Sequence, residues 1–202
     1  MKPTVGLTGG IACGKSTVAR MFREDHAIPI VDADLLAREV VAPGTDGLAA
    51  VVEAFGDQVL DPSGALDRTK MGALVFEDAE QRKRLNAIVH PRIAAAGMKA
   101  MQALQDDPAP YLIYEAALIV ENRLQNMFGA LVVVSLQPDV QLRRLMARDA
   151  SNQAEAQSRI DSQLPLADKV AVADFVIDNG GTETETRARV AEVHAQLVER
   201  FA

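Results

Sequence analysis

The chain has 202 residues, 49% hydrophobic and 24% charged, with 21 Lys plus Arg against 28 Asp plus Glu for a formal net charge of −7. That composition is globular with length enough to bury a core; it excludes a disordered, collagen-like or disulfide-framework chain, and the one cysteine, Cys13, cannot form an internal disulfide. The acid excess argues against a general binder of nucleic acid or anionic membrane, no run approaches about 18 apolar residues, and the amino terminus shows no leader pattern, so a cytoplasmic location is expected.

Five runs rich in β-branched and aliphatic residues read as buried parallel strands: Thr4 to Thr8, Ile28 to Asp32, Tyr111 to Glu115, Leu131 to Leu136 and Phe175 to Asp178. The first leads into Gly9-Gly10-Ile11-Ala12-Cys13-Gly14-Lys15-Ser16 and a helix-like Thr17 to Phe22. This is the phosphate-binding pattern G-x-x-x-x-G-K-[ST] in its strand, loop and helix setting. Glycines let the backbone curl so that N–H groups converge on phosphate oxygens, and the helix amino terminus adds a favourable partial charge. Gly10, Ile11, Ala12, Cys13, Gly14, Lys15, Ser16 and Thr17 are therefore the candidate ATP-binding residues. Lys15 reaches the β and γ phosphates and Ser16 ligates Mg2+. Cys13 reads as a small loop residue, since nothing adjacent suggests an activating base.

The second run ends in Asp32-Ala33-Asp34, two carboxylates that leave on opposite sides if strand geometry persists. A carboxylate there can orient an acceptor hydroxyl and take its proton as the γ-phosphoryl leaves ATP; the plainer reading is strand-end solvation or a helix cap. Residues 33–110 then separate this run from the third, whereas a crossover needs only about a dozen residues. The stretch has turn signals at Pro43-Gly44 and Asp61-Pro62-Ser63-Gly64, and helical apolar patterns at Leu48, Val51, Val52 and Phe55 and at Leu85, Ile88 and Val89. It reads as a helical insertion over the carboxyl edge of the sheet, where open α/β sheets bind ligands, or as a decorative one.

Glu115 ends the third run and suits magnesium-bound water. After the fourth, Pro138 to Asp149 reads as a helix carrying Arg143, Arg144 and Arg148, the last two i, i+4 on one face. They close over the triphosphate as a lid, or form a solvated face paired with Asp149. Asp178-Asn179-Gly180-Gly181 either wraps the adenine or is a plain turn. Thr182 and Glu185 have capping-box spacing before a helix with Val190, Val193, Leu197 and Phe201 at helical intervals.

The expected class is α/β: a five-stranded parallel sheet flanked by helices, forming one domain. Its nucleotide-binding core comprises 1–34 and 111–202, with a helical acceptor-binding insertion at 35–110 and a lid at about 138–165.

Over nearly its whole length the sequence resembles the bacterial dephospho-CoA kinases of the P-loop kinase superfamily. The similar stretches are Leu7 to Ile11 with Lys15-Ser16-Thr17, Val31 to Asp34 with Arg38, Phe55-Gly56, Leu66-Asp67-Arg68, Val75-Phe76, and His90-Pro91-Arg92-Ile93. Leu118 to Glu121, Arg144 with Arg148, Gln163, Ala173-Asp174 and Ile177-Asp178-Asn179 complete the series in order. The resemblance implies transfer of the ATP γ-phosphate to the ribose 3′-hydroxyl of dephospho-CoA, giving CoA and ADP, with Mg2+. It implies Asp34 as general base, Lys15, Arg144 and Arg148 on the phosphates, Asn179 with the nucleotide, and Asp32, Asp34, Arg38, Arg68, His90 and Glu121 toward the acceptor. His90 reads equally as a helix cap or core residue. The implied partner is the small-molecule acceptor, with no nucleic acid or membrane, for a monomer or weak homo-oligomer. Ala117 stands where the family usually has proline, and Ala12 and Cys13 where glycine and serine are commoner. A P-loop kinase for a nucleoside monophosphate or another small alcohol, and a nucleotide-dependent switch or ATPase gripping a protein, are the competing readings.

Overall fold

The computed structural model describes residues 2–202, with Phe76 and Glu77 described through their backbone alone, so the Phe76 side chain of the family-like Val75-Phe76 pair lies outside the description. The chain forms two compact units: residues up to Asp32 together with Leu104–Ala202, and Ala33–Ala103.

The first unit is built on five parallel strands, β1 (Thr4–Gly9), β2 (Ile30–Asp32), β3 (Leu112–Glu115), β4 (Ala130–Ser135) and β5 (Phe175–Asp178), in the order β2-β3-β1-β4-β5. With α1 (Lys15–His26), this gives the expected α/β architecture. Val5, Leu7, Val132, Val134 and Ile177 pack against Phe22 and Ile28 and against Val190 and Leu197 of the carboxy-terminal helix. Leu131 and Val133 point the other way, onto Ile119, Val120, Leu166 and Val170. Both faces are covered at β1 and β4, which is why those strands are continuously apolar rather than alternating, whereas Val176 of edge strand β5 is exposed.

Strand boundaries fall within one residue of expectation except at the start of β2, which differs for a clear reason. Ile28 belongs to the end of α1, not to β2: Ala27 is left-handed (φ 54°) and donates to Arg23 O, and Ile28 N–H donates to Phe22 O at 3.1 Å. That closure satisfies helix carbonyls that would otherwise be orphaned. Pro29 follows and β2 starts at Ile30.

The second unit holds α2 (Ala33–Glu39), α3 (Asp46–Phe55), α4 (Arg68–Glu77) and α5 (Ala79–Ala103) around Val41, Val51, Phe55, Val59 and Met71. Thr45 caps α3 by accepting Leu48 N–H at 3.2 Å, and Asp67 caps α4 by accepting from Thr69 and Lys70. The remaining helices belong to the first unit: α6 (Pro138–Asp149), α7 (Gln153–Asp161), α8 (Leu166–Ala171) and α9 (Glu183–Arg200), the last opened by the expected Thr182/Glu185 capping box. Among the described residues no helix is long and apolar enough to cross a membrane.

Candidate active site

β1 delivers the chain into the glycine loop, and α1 begins at Lys15 with Gly14 left-handed before it (φ 84°). Only glycine fits there twice over: a Cβ would also stand 2.1 Å from Asn179 Nδ2. The first turn of α1 has no acidic residue, so the open N–H groups of the helix start and its dipole keep a positive end for an anion. Cys13 is fully buried, and burial pushes its thiol above the ordinary value despite the Gly10 hydrogen bond and the nearby Lys15, Lys169 and Arg144 charges. It is a packed, neutral loop residue.

Three side-chain amides hold this loop. Asn179, buried after β5, donates to Cys13 O at 2.9 Å and accepts from the buried Thr186 Oγ1 of α9 at 3.0 Å. Its own segment is a turn in which Gly180 N–H donates to Asp178 Oδ1. Gln163, between α7 and α8, accepts Ile11 N–H at 2.7 Å, while Gln141 of α6 donates to Ile11 O at 2.8 Å. Sequence reasoning passed over Gln141 entirely.

Beside the loop is a cleft of about 350 Å³ bounded by Ala12, Gly14 and Thr17, by Met21 of α1, by Arg144 of α6 and by the turn at Asn179 and Gly181. Its volume falls in the range of small-ligand sites. Half-buried Arg144 thus faces the loop's cleft. Arg148 does not share that position: it pairs with Asp149 at 2.7 Å, and Asp149 also accepts from Arg159 at 2.6 Å. The Asp149 carboxyl is held below its ordinary range, chiefly by the Arg148 hydrogen bond. Arg143 pairs with Asp139.

At the carboxyl edge of the sheet, Asp32 and Glu115 are register partners on adjacent strands, so their side chains share a face. Glu115 is buried. The condition under which Asp32 and Asp34 oppose one another is not met, because α2 begins at Ala33 and strand geometry stops at Asp32. Asp34 is instead an exposed residue of the first turn of α2, with Arg38 exposed in its last turn. Among the described residues no group of three or more His, Cys, Asp or Glu forms a metal cage. A serine hydroxyl at the helix start with carboxylates on the strand ends still fits magnesium, which is held largely by phosphate oxygens and water.

Glu121 and Ala117 are explained by a residue the sequence reading overlooked. Lys169 of α8 is fully buried, with Nζ 2.6 Å from Glu121 Oε1 and donating to Ala117 O at 3.1 Å. Thr8 Oγ1 donates to the same carbonyl, and Leu164 N–H to Glu121 Oε1. The interactions at position 117 are made by its carbonyl, which alanine offers as well as proline. Lys169 shares a helical face with Leu166 and Val170, and a lysine amid apolar residues was the available signal.

In the second unit Arg68 is exposed at the start of α4. His90 is exposed in the middle of α5, which continues through Pro91, so it is neither a cap nor a core residue. The Arg92 side chain donates to Ile88 O at 2.7 Å beside that proline.

A family model described as dephospho-CoA kinase matches residues 3–185. The dephospho-CoA kinase of Geobacillus kaustophilus is 44% identical over 196 residues, 97% of this chain and 97% of that protein. The solved dephospho-CoA kinase from Campylobacter jejuni superposes with a TM-score of 0.72 at 27% identity, covering 98% of both chains. A shikimate kinase from Bacteroides thetaiotaomicron, at 16% identity and TM-score 0.53 over 98% of this chain and 99% of its own, shares the fold.

Proposed function

The chain belongs to the dephospho-CoA kinase family, and on that premise we propose how its residues divide the transfer of the ATP γ-phosphate to the ribose 3′-hydroxyl of dephospho-CoA. The observation that carries the reading is the phosphate loop opening α1, flanked by a nucleoside-sized cleft and Arg144, in a chain matching the family over residues 3–185.

The triphosphate lies on the loop from Gly10 to Thr17, with Lys15 on the β and γ phosphates and the adenosine in the cleft beside Asn179. Ser16, with Asp32 and Glu115 at the strand ends, would hold Mg2+, and the ion would supply neutralisation of phosphate charge. Asp34 stands two residues beyond the last residue of β2. It accepts the 3′-hydroxyl proton as that oxygen bonds to the γ-phosphorus and the bond to the ADP oxygen breaks. Arg144 stabilises the charge on the transferring group, and Arg148 joins it by exchanging Asp149 for phosphate, the 138–165 segment acting as a lid. Arg38, Arg68 and His90 hold the acceptor from the helical unit 33–103. Glu121 supports the site through Lys169.

The test is ADP release from Mg-ATP with dephospho-CoA, AMP, CMP or no acceptor, with mass spectrometry of the product. Dephospho-CoA-dependent release with a product heavier by one phosphate is expected. Release with AMP or CMP alone would move the reading to another acceptor; release independent of any acceptor would refute it.

A further inference from the structure

The proposed transfer leaves Gln141 and Gln163 without a role in the reaction, although both grip one residue of the phosphate loop. Ile11 N–H donates to Gln163 Oε1 at 2.7 Å and Ile11 O accepts from Gln141 Nε2 at 2.8 Å. Gln141 is buried, and Gly10 leaves space for it: a Cβ there would stand 2.6 Å from Nε2.

Each contact fixes a different peptide plane. Every peptide bond of the described residues is trans, so the C=O and N–H of one unit point in opposite directions. In the Gly10–Ile11 unit, the carbonyl accepts from Cys13 N–H at 3.2 Å and the N–H goes to Gln163. In the Ile11–Ala12 unit, Gln141 holds the carbonyl, so the Ala12 N–H points away from Gln141. Ala12 keeps a φ of 58° in this arrangement, a left-handed conformation that alanine disfavours, while lining the cleft beside Gly14. Turning the plane over relaxes Ala12 to an ordinary φ and exchanges its two ends, presenting a carbonyl oxygen where an N–H now stands. An oxygen there repels phosphate.

We propose that Gln141 is a positioning residue for the nucleotide: it holds the strained Ile11–Ala12 peptide in the orientation that offers N–H to phosphate, and Gln163 fixes the plane before it. The proposal rests on reading residues 10–17 as the loop that binds the ATP phosphates. Without Gln141 the competent orientation becomes a minority state, and apparent affinity falls by the competent fraction.

The test is calorimetric titration with Mg-ADP, which needs no acceptor, in a cycle of Gln141→Ala and Ala12→Gly. In the parent background, with Ala12 in place, removing Gln141 weakens ADP binding about tenfold. In the Ala12→Gly background the same removal costs at most about threefold, because glycine has no reason to turn the plane over. A merely structural glutamine would cost the same in both backgrounds, and that result, or no loss at all, overturns the proposal. Gln163→Ala also weakens binding, but Ala12→Gly does not rescue it, since Gln163 holds the other plane; rescue there counts against the proposal. Should Gln141→Ala fail to fold, Gln141→Met, similar in length and lacking a donor, carries the same expectations. If the unaltered protein does not bind Mg-ADP, the nucleotide reading itself falls.

Discussion

Replacing Lys169 with methionine should cost more stability than any comparable change of a surface charge, and the reason is the partner it leaves behind. The ammonium is fully buried and makes two contacts, with Glu121 at 2.6 Å and Ala117 O at 3.1 Å. Methionine restores the volume but strands Glu121, whose Oε1 keeps only the Leu164 N–H at 3.3 Å and whose buried Oε2 has no partner among the described residues. Breaking a buried pair on one side costs about 3–5 kcal/mol; the low end applies because 18% of the Glu121 side chain reaches solvent. At roughly 2–4 °C per kcal/mol for a domain of this size, Lys169→Met should lower Tm by about 6–12 °C in a calorimetric scan. Adding Glu121→Gln removes the stranded charge and should recover at least half of that loss. A single variant melting within about 2 °C of the parent, or a double variant no more stable than the single, would refute the reasoning.

Asp34→Asn should lower kcat by about 100-fold or more while leaving the ATP dissociation constant within about threefold, because the carboxylate works on the attacking hydroxyl. Steady-state kinetics with dephospho-CoA beside direct ATP titration separates the two, and near-normal turnover removes Asp34 as base. A pH dependence of stability follows from His194, whose Nδ1 lies 2.7 Å from the buried Tyr111 hydroxyl and whose ring stacks on His26 at 4.1 Å. Burial first, then the His26 charge, lowers its pKa below the ordinary 6.5. The folded state therefore resists protonation more than the unfolded chain does, so this contribution is full above the ordinary value and is lost as pH falls through the depressed one. Tm should decline on acidification below about pH 6.5, and His194→Gln should flatten that decline; parallel profiles would exclude the histidine.

What was legible in the sequence follows from how locally each feature is encoded. The loop and α1 form one contiguous pattern, and the central strands β1 and β4 are continuously apolar because both of their faces are covered, so those elements could be read directly. Ile28 misled because an apolar β-branched residue suits a strand, while its actual work, closing the end of α1 onto Phe22 O, depends on the left-handed Ala27 before it. For Asp34 the alternation argument lost its basis, since alternation across Asp32-Ala33-Asp34 holds only while the chain stays extended, and α2 starts at Ala33.

The supports of the loop were hidden for another reason. Gln141, Gln163 and Asn179 bond backbone groups 130, 152 and 166 residues away, and a carboxamide meeting a peptide group leaves no complementary charge or motif at the far end. They nevertheless leave an imprint. A Cβ at Gly10 would strike Gln141 and one at Gly14 would strike Asn179. The motif glycine Gly14, and Gly10 at a position the motif leaves free, are thus also clearances for distant side chains. The loop is shaped from outside as much as by its own conformational freedom, and a substitution at Gly10 should disturb α6 as well as phosphate binding.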